Sequence, residues 1–328
     1  MSEPGVRRAL VLAGGLTFER DVSLRSGRRV ADALRSAGVE VDLRDADAAL
    51  LDSLSAHPPE AAFIALHGGP GEDGAIRGVL DLARVPYAGT SAPAARVAFD
   101  KPSAKALLRT AGLATPDWVT LPQATFRELG AHAVLDRLLT RLPLPLVVKP
   151  ARGGSALGVT RVDRPEALSA AMVHCFSYGD TALVEQHIAG VELAVSVVED
   201  DPAQASAPRA LPAVEIVPKE GVFDYDARYT AGSTDYFVPA RLDDDELATA
   251  QQAAVRAHTV LGLRDLSRTD LIVGPDGTPW FLEVNVAPGM TETSLLPMAA
   301  AAAGLDLGAL CRSVLNRAVA RASRAPGS

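Results

Sequence analysis

The stretch Arg268-Thr269-Asp270-Leu271-Ile272-Val273, followed by Gly274-Pro275-Asp276-Gly277 and then Trp280-Phe281-Leu282-Glu283-Val284-Asn285, predicts a β-hairpin, because two strand-forming runs flank a turn signal. A turn centred between Asp276 and Gly277 sets Asp270 opposite Glu283 and Arg268 opposite Asn285. The two-residue period of a strand then brings all four side chains to one face. Two carboxylates facing each other across a ladder repel, which calls for a cation between them. Asp270, Glu283 and Asn285 offer only oxygen ligands, a set suited to a hard ion such as Mg2+ that keeps several waters and shares itself with phosphates. The hairpin therefore points to a nucleotide.

A ribbon with a solvated acidic face would show the same spacing, and a one-residue slip would send half of the set to the opposite face. The continuation Val286-Ala287-Pro288-Gly289-Met290-Thr291 separates the two readings. It is an abrupt loop in which Gly289 permits close approach of the backbone to a ligand. A strand that ends in ligands and runs into such a loop has the form of a site.

Outward from the hairpin, residues 7 to about 95 alternate strand and helix: Ala9 to Ala13, a helix from Val22 to Ala37, Val39 to Leu43, Ala61 to Leu66, a helix near Ala75 to Ala83, then Pro86-Tyr87-Ala88. That rhythm predicts a small doubly wound domain, a parallel sheet with helices on both faces. Ligands meet such sheets at the carboxyl ends of strands, where this chain carries Gly14 to Glu19 and His67 to Gly74. A helix begins at Asp100-Lys101, with Asp100 as N-cap and Pro102 in the first turn, and ends near Gly112. From 115 to 185 the pattern is mixed, with strands Leu144 to Lys149, Gly158 to Val162 and Ala182 to Gln186 and a helix from Pro165 to Phe176. From 187 to 290 strands dominate, Asp200 to Arg209 reads as a hairpin loop, and amphipathic helices occupy 243 to 261 and 305 to 321. The fold class is therefore mixed, α/β at the start and α+β after it, with no internal repeat.

With 328 residues and 48% hydrophobic content the chain can bury large cores over two or three domains. A net charge of −8 argues against a general nucleic-acid binder. Cys175 and Cys311 lie far apart with no CxxC or His/Cys cluster, so neither a disulfide framework nor a zinc site is indicated. Arg7-Arg8 before a short apolar run faintly imitates a secretion signal, but a first strand explains it better. The Ala-rich run from Leu295 to Leu310 is the nearest approach to a membrane span, and none is expected. These readings place the protein in the cytoplasm.

Other segments carry chemistry only in combination. Lys149 precedes the glycine loop Arg152-Gly153-Gly154-Ser155-Ala156-Leu157-Gly158, which joins strand to strand and is not a P-loop, although its amides can fold over phosphates. Glu185 ends one strand and Glu192 starts the next; beside a phosphate loop, they can accept from an adenine amino group and ribose hydroxyls. Glu19 stands where a helix N-terminus opens, which a dipole-complementing acid would also explain. His67, at a strand end before glycines, reads equally as a turn histidine. The aromatic and charged stretch Phe223 to Tyr229, continuing through Tyr236-Phe237-Val238-Pro239, reads as a lid.

Taken together, Gly14-Gly15 with Glu19-Arg20-Asp21-Val22-Ser23, Ala65-Leu66-His67-Gly68 with Gly71-Glu72-Asp73-Gly74, and Pro288-Gly289-Met290-Thr291 with Ser294-Leu295 resemble the D-alanine-D-alanine ligases of the ATP-grasp superfamily. The likeness runs in order from residue 8 to about 318. It implies an N-terminal α/β substrate domain over 1–96, a central ATP-grasp domain over 97–186, and a C-terminal ATP-grasp domain over 187–328 with a lid loop at 219–239. It also implies ATP and Mg2+, with Mn2+ as a substitute, two D-alanines joined through an acyl phosphate for peptidoglycan precursor synthesis, and a homodimer. Asp270, Glu283 and Asn285 match metal ligands, and Lys101, Lys149, Glu185 and Glu192 match nucleotide contacts. Glu19, Ser155 and Tyr229 match a hydrogen-bonded network that receives the first substrate's ammonium and closes the lid. Arg268 and the Gly289 amide match oxyanion donors, His67 lies near the acyl centre, and Ser294 matches a contact to the second substrate's carboxylate. Arg228 stands where lysine is frequent, Leu16-Thr17-Phe18 is bulkier than the family's serine-containing loop, and Val286-Ala287 replaces a more polar pair. Tyr229 implies a peptide rather than an ester product. An ATP-grasp ligase for other amino acids, and a nucleotide-binding protein without catalysis, are the rival readings.

Overall fold

The computed structural model describes residues 5–199, 207–219 and 232–324. β1 (Arg8–Leu12), α1 (Arg20–Ser36), β2 (Glu40–Arg44), α2 (Leu50–Ala56) and β3 (Ala61–Ile64) open the chain, followed by α3 (Gly69–Glu72) and α4 (Ala75–Leu82). The three strands form a parallel sheet in the order β2-β1-β3, and Tyr87 adds a parallel bridge to Ala62. Alternation along β1 decides which side chain goes where. Ala9, Val11 and Ala13 enter a core with Val30, Ala31 and Leu34 of α1, while Leu10 and Leu12 enter another with Leu50 and Leu54 of α2 and Leu80 of α4. Helices thus cover both faces, as the alternation predicts.

α5 (Ala92–Phe99) and α6 (Lys101–Thr110) lead into β4 (Trp118–Pro122), α7 (Gln123–Leu129), α8 (Ala131–Arg141), β5 (Leu146–Pro150), β6 (Thr160–Val162), α9 (Leu168–Phe176) and β7 (Thr181–Gln186). Asp100 caps α6 as expected, its Oδ1 accepting from the Ser103 amide at 3.0 Å. The sheet is antiparallel in the order β4-β7-β5-β6. Its core is built from Leu138, Leu142, Val148, Met172, Cys175 and Val184. β4, α7 and α8 lie in the segment whose pattern the sequence left mixed.

β8 (Val191–Val198), β9 (Arg209–Ala210), β10 (Val214–Pro218) and β11 (Thr234–Phe237) precede α10 (Asp244–Val260), β12 (Leu266–Val273) and β13 (Pro279–Asn285), and α11 (Leu295–Ala302) and α12 (Leu307–Arg324) end the described chain. The sheet runs β11-β10-β8-β12-β13, with β9 antiparallel to β8. The β8–β9 pairing agrees with a hairpin there, although residues 200–206 of its loop lie outside the described residues. Tyr236 and Phe237, read from sequence as part of an irregular lid, instead belong to β11, which pairs with β10. Asp243 and Glu246 form a reciprocal capping box at the start of α10. α11 and α12, which share the Ala-rich run, meet at a bend of 106°, and no single helix among the described residues is long and apolar enough to cross a membrane. Instead α12 sends Leu310, Cys311, Val314 and Leu315 into the core that β1 and α1 share with the C-terminal sheet.

Candidate active site

In β12 and β13 the ligand rows pair as the sequence predicts, Arg268 with Asn285 and Asp270 with Glu283. Below them the register shifts by one, Leu271 opposing Phe281, so that Leu282 is the extra residue of a β-bulge. The bulge puts Leu282 and Glu283 into one cavity wall. Arg268 grips Asp270 through two parallel bonds, Nε to Oδ1 at 2.7 Å and Nη2 to Oδ2 at 2.9 Å. Lys101 reaches Glu283 at 3.2 Å and donates to the Gly153 carbonyl at 2.7 Å. Side chains of the protein therefore meet the charge of the two facing carboxylates. Asn285 Oδ1 accepts from the Ala287 amide at 2.8 Å, which fixes the amide's orientation. Among the described residues no three His, Cys, Asp or Glu side chains converge. The donor set is two carboxylates and one carboxamide oxygen on adjacent rows of one ladder, a chemistry that fits a hard divalent ion.

A cavity of about 850 Å3 lies beside this hairpin, walled by Val147, Lys149, Leu157, Ile188, Ile272 and Leu282. At its base Glu185 sits between two lysines, Lys149 Nζ at 2.5 Å and Lys105 Nζ at 2.8 Å. Burial opposes ionisation of Glu185, but the Lys149 and Lys105 charges outweigh it and hold the carboxyl below its usual range. Burial lowers Lys105 to about 8, against the pull of Glu185. Glu192 borders the same cavity. Over it folds the loop between β5 and β6, where Ser155 and Ala156 adopt left-handed backbone, φ 51° and 56°. This turn aims the Ser155 hydroxyl at Glu19, to which it donates.

The second cavity, about 770 Å3, is lined by Glu19, His67, Glu72, Arg268, Gly289 and Ser294 among others, and it shares Lys101, Gly153, Gly154 and Glu283 with the first. Glu19 is buried, although it sits at the start of α1 and gives that helix no side-chain cap. It turns toward Ser155 instead, so the dipole explanation is set aside. Gly68 lies so close that a Cβ there would come within 2.4 Å of Glu19 Oε2. Gly289 is equally constrained, since its Cβ would meet Ser294 Oγ at 2.6 Å. That hydroxyl accepts from the Thr291 amide at 3.0 Å. His67 is buried with both ring nitrogens engaged, and burial, assisted by Arg268, lowers it to about 4. Glu72 is buried too; desolvation and then the Glu19 charge raise it to about 8, so it is protonated at neutral pH.

The structure thus brings together Glu19, His67, Lys101, Lys149, Ser155, Glu185, Glu192, Arg268, Asp270, Glu283, Asn285, Gly289 and Ser294, while Arg228 and Tyr229 lie outside the described residues. Sequence reasoning missed Lys105, Glu72 and Leu282. A Lys101/Lys105 pair one helical turn apart was the available signal for the first. Leu16 and Phe18 are 99% and 78% exposed and Val286 and Ala287 are buried, and none of the four lines either cavity. These four positions leave the walls of the two cavities untouched.

Comparison with known proteins agrees with this geometry. The sequence profile described as D-ala D-ala ligase C-terminus matches residues 107–316. A D-alanine--D-alanine ligase of Anaeromyxobacter dehalogenans is 42% identical over 316 residues, covering 96% of this chain and 98% of that protein. The crystal structure of a D-alanine--D-alanine ligase from Bacillus anthracis superposes with a TM-score of 0.82 at 30% identity, covering 98% of this chain and 100% of the other. The same organism's ligase complexed with ATP gives 0.79 at 27% identity, with coverage of 98% and 100%. The fold is accordingly that of the ATP-grasp enzymes. With a profile over most of its length and relatives matched nearly end to end, this chain belongs to the D-alanine–D-alanine ligase family.

Proposed function

We propose that the described side chains divide between them the ATP-dependent joining of two D-alanines, the reaction of this ligase family. The observation that carries the assignment is the meeting of the two cavities along Lys101, Gly153, Gly154 and Glu283. A phosphoryl donor in one thereby lies within reach of a carboxylate acceptor in the other. A carboxylate oxygen of the first D-alanine bonds to the γ-phosphorus of ATP as the bond to the departing ADP breaks. The neutral amine of the second D-alanine then forms the C–N bond, and the tetrahedral oxyanion collapses with loss of phosphate, which carries off the proton shed by the amine nitrogen, yielding the dipeptide used for peptidoglycan precursors.

In this reading Lys101 and Lys149 hold phosphate oxygens, and Glu185 and Glu192 accept from the base and ribose. Asp270, Glu283 and Asn285 would hold Mg2+, or Mn2+ in its place, which when bound screens the charge of the phosphoryl oxygens. Glu19, fixed by Ser155, receives the first ammonium, with Tyr229 as the third member of that network and Arg228 beside it. Arg268 and the Gly289 amide donate to the oxyanion. Ser294 takes the second carboxylate, and His67 borders the acyl centre. The division into 1–96, 97–186 and 187–328, a lid at 219–239, a homodimer in solution and a cytoplasmic location complete the proposal. Release of ADP with D-alanine and with D-lactate across pH tests it: D-alanine dependence with a peptide product supports the reading, whereas ester formation near neutral pH, or no response to D-alanine, overturns it. The amine must lose a proton to attack, its pKa lying near 8, so activity should climb through that region.

A further inference from the structure

We infer that Ser26 and His67 form a positioning pair that clamps the backbone from Ala287 to Met290, aiming the Gly289 amide at the reacting carbonyl. The inference rests on the ligase reading for what that amide does, while the clamp itself is a matter of geometry. His67 Nδ1 lies 3.0 Å from the Ala287 carbonyl, which can only accept, so Nδ1 carries the proton. In a neutral ring Nε2 is then an acceptor, and the Ser26 hydroxyl stands 2.9 Å from it. The Ser26 oxygen accepts in turn from the Met290 amide at 3.1 Å. The relay is closed: Met290 N–H to Ser26, Ser26 O–H to His67, His67 N–H to Ala287 C=O. Gly289 lies between its two ends.

Neighbouring residues hold the same segment from outside. Arg29, one turn beyond Ser26 on α1, donates to the carbonyls of Met290 and Thr291. Arg77 donates to the Val286 carbonyl at 3.2 Å and to the Gly71 carbonyl at 2.5 Å. The N-terminal unit therefore grips the loop that follows β13 by its backbone atoms, with Ser26 and Arg29 carried on α1 and Arg77 on α4. Protonation of His67 would place a second N–H against Ser26 and leave the serine proton without its acceptor. Burial and the nearby Arg268 charge both disfavour that form, so the ring is neutral, and the Ala287 carbonyl fixes it as the Nδ1–H tautomer. Both ring nitrogens are spent on the clamp.

The experiment combines hydrogen exchange with kinetics on the full chain. Ser26→Ala should speed exchange of the Met290 amide at least about tenfold, the factor a lost hydrogen bond of about 1.4 kcal/mol gives. It should lower kcat about tenfold with the KM for ATP unchanged. His67→Asn, whose side-chain N–H replaces Nδ1–H, should retain more activity than His67→Ala, and neither should move the pH at which activity rises. ADP binding at wild-type affinity certifies folding of each variant. Unchanged Met290 exchange in Ser26→Ala overturns the clamp whatever the activity. Equal loss in His67→Asn and His67→Ala, with a displaced pH profile, overturns the positioning role in favour of proton transfer. Wild-type protein inert toward D-alanine would instead strike the ligase reading, with the exchange result still deciding the clamp.

Discussion

Two clusters of largely buried charge differ in their stoichiometry. Beside the larger cavity, Lys105 and Lys149 share the single carboxylate of Glu185. At the seam between the N-terminal unit and α12, Asp265 is fully buried with Arg317 and Arg321 on Oδ1 and the Gly89 amide on Oδ2, while Glu199 takes Arg317 at 2.6 Å and the Asp265 amide at 3.1 Å. Two carboxylates face two guanidinia there, so the charge closes on itself. The first cluster has two cations for one carboxylate, and its Lys149 lines the cavity, where an anion can reach it. Excess of one sign next to empty space marks a site, and balance without space marks a joint.

Removing a charge from each cluster should therefore show in different measurements. Lys149→Ala is expected to reduce kcat/KM for ATP about 10^2- to 10^3-fold, in line with the loss of a charge aimed at a transferring phosphoryl group, while leaving the denaturation midpoint close to wild type. Steady-state ADP release and urea unfolding on one preparation compare the two. Asp265→Ala should do the reverse, costing about 1 to 3 kcal/mol because it leaves the Gly89 amide and the half-buried Arg321 without their acceptor, with activity per folded molecule retained at low temperature. If Asp265→Ala instead lost activity without stability, the distinction between site and joint would fail.

Acid sharpens the contrast. Burial works against the ionisation of Glu199, but His258, the Asp265 amide and Arg317 together hold it down to about 2. A carboxyl whose folded value lies below its unfolded value stabilises the fold above about 4.5, and that contribution disappears as pH falls from there toward 2. Glu199→Gln should flatten the pH dependence of stability across that window, read as unfolding free energy at several acid pH values. The smallest effect belongs to an uncharged contact between the N-terminal unit and the central one. Phe18 meets Tyr178 edge to face, ring centroids 6.0 Å apart, and Phe18→Ala should shift kinetic constants by no more than about tenfold, the reach of an aromatic pair of about 0.5–1.5 kcal/mol.

Much of this was readable from the chain because the informative features are local. The Asp270/Glu283 row follows from a turn signal six residues away, and α6 and α10 announce themselves by Asp100 and Asp243. What escaped depends on distant pairing. Lys105 looks like any lysine on an amphipathic helix until Glu185, far along the chain, is folded against it. His67 reads as a turn residue until Ser26 and Ala287 arrive from two other elements. α12 was legible as a helix, but nothing in its sequence says that it closes the core of the first sheet, since any apolar stripe of that width would look the same. Helices α7 and α8 were lost in mixed composition, and the bulge was invisible because Leu271 to Val273 and Trp280 to Leu282 are apolar at every position, so no alternation fixes the register there.

That bulge makes the hairpin behave like a vernier, with its two ends one tooth out of step at Leu282. The carboxylate pair and the tip are aligned independently, so deleting this single residue would return the tip to step and strip an apolar side chain from the cavity wall while leaving Asp270 facing Glu283. One codon thus offers a handle on the shape of that cavity, separate from the alignment of the carboxylates above it.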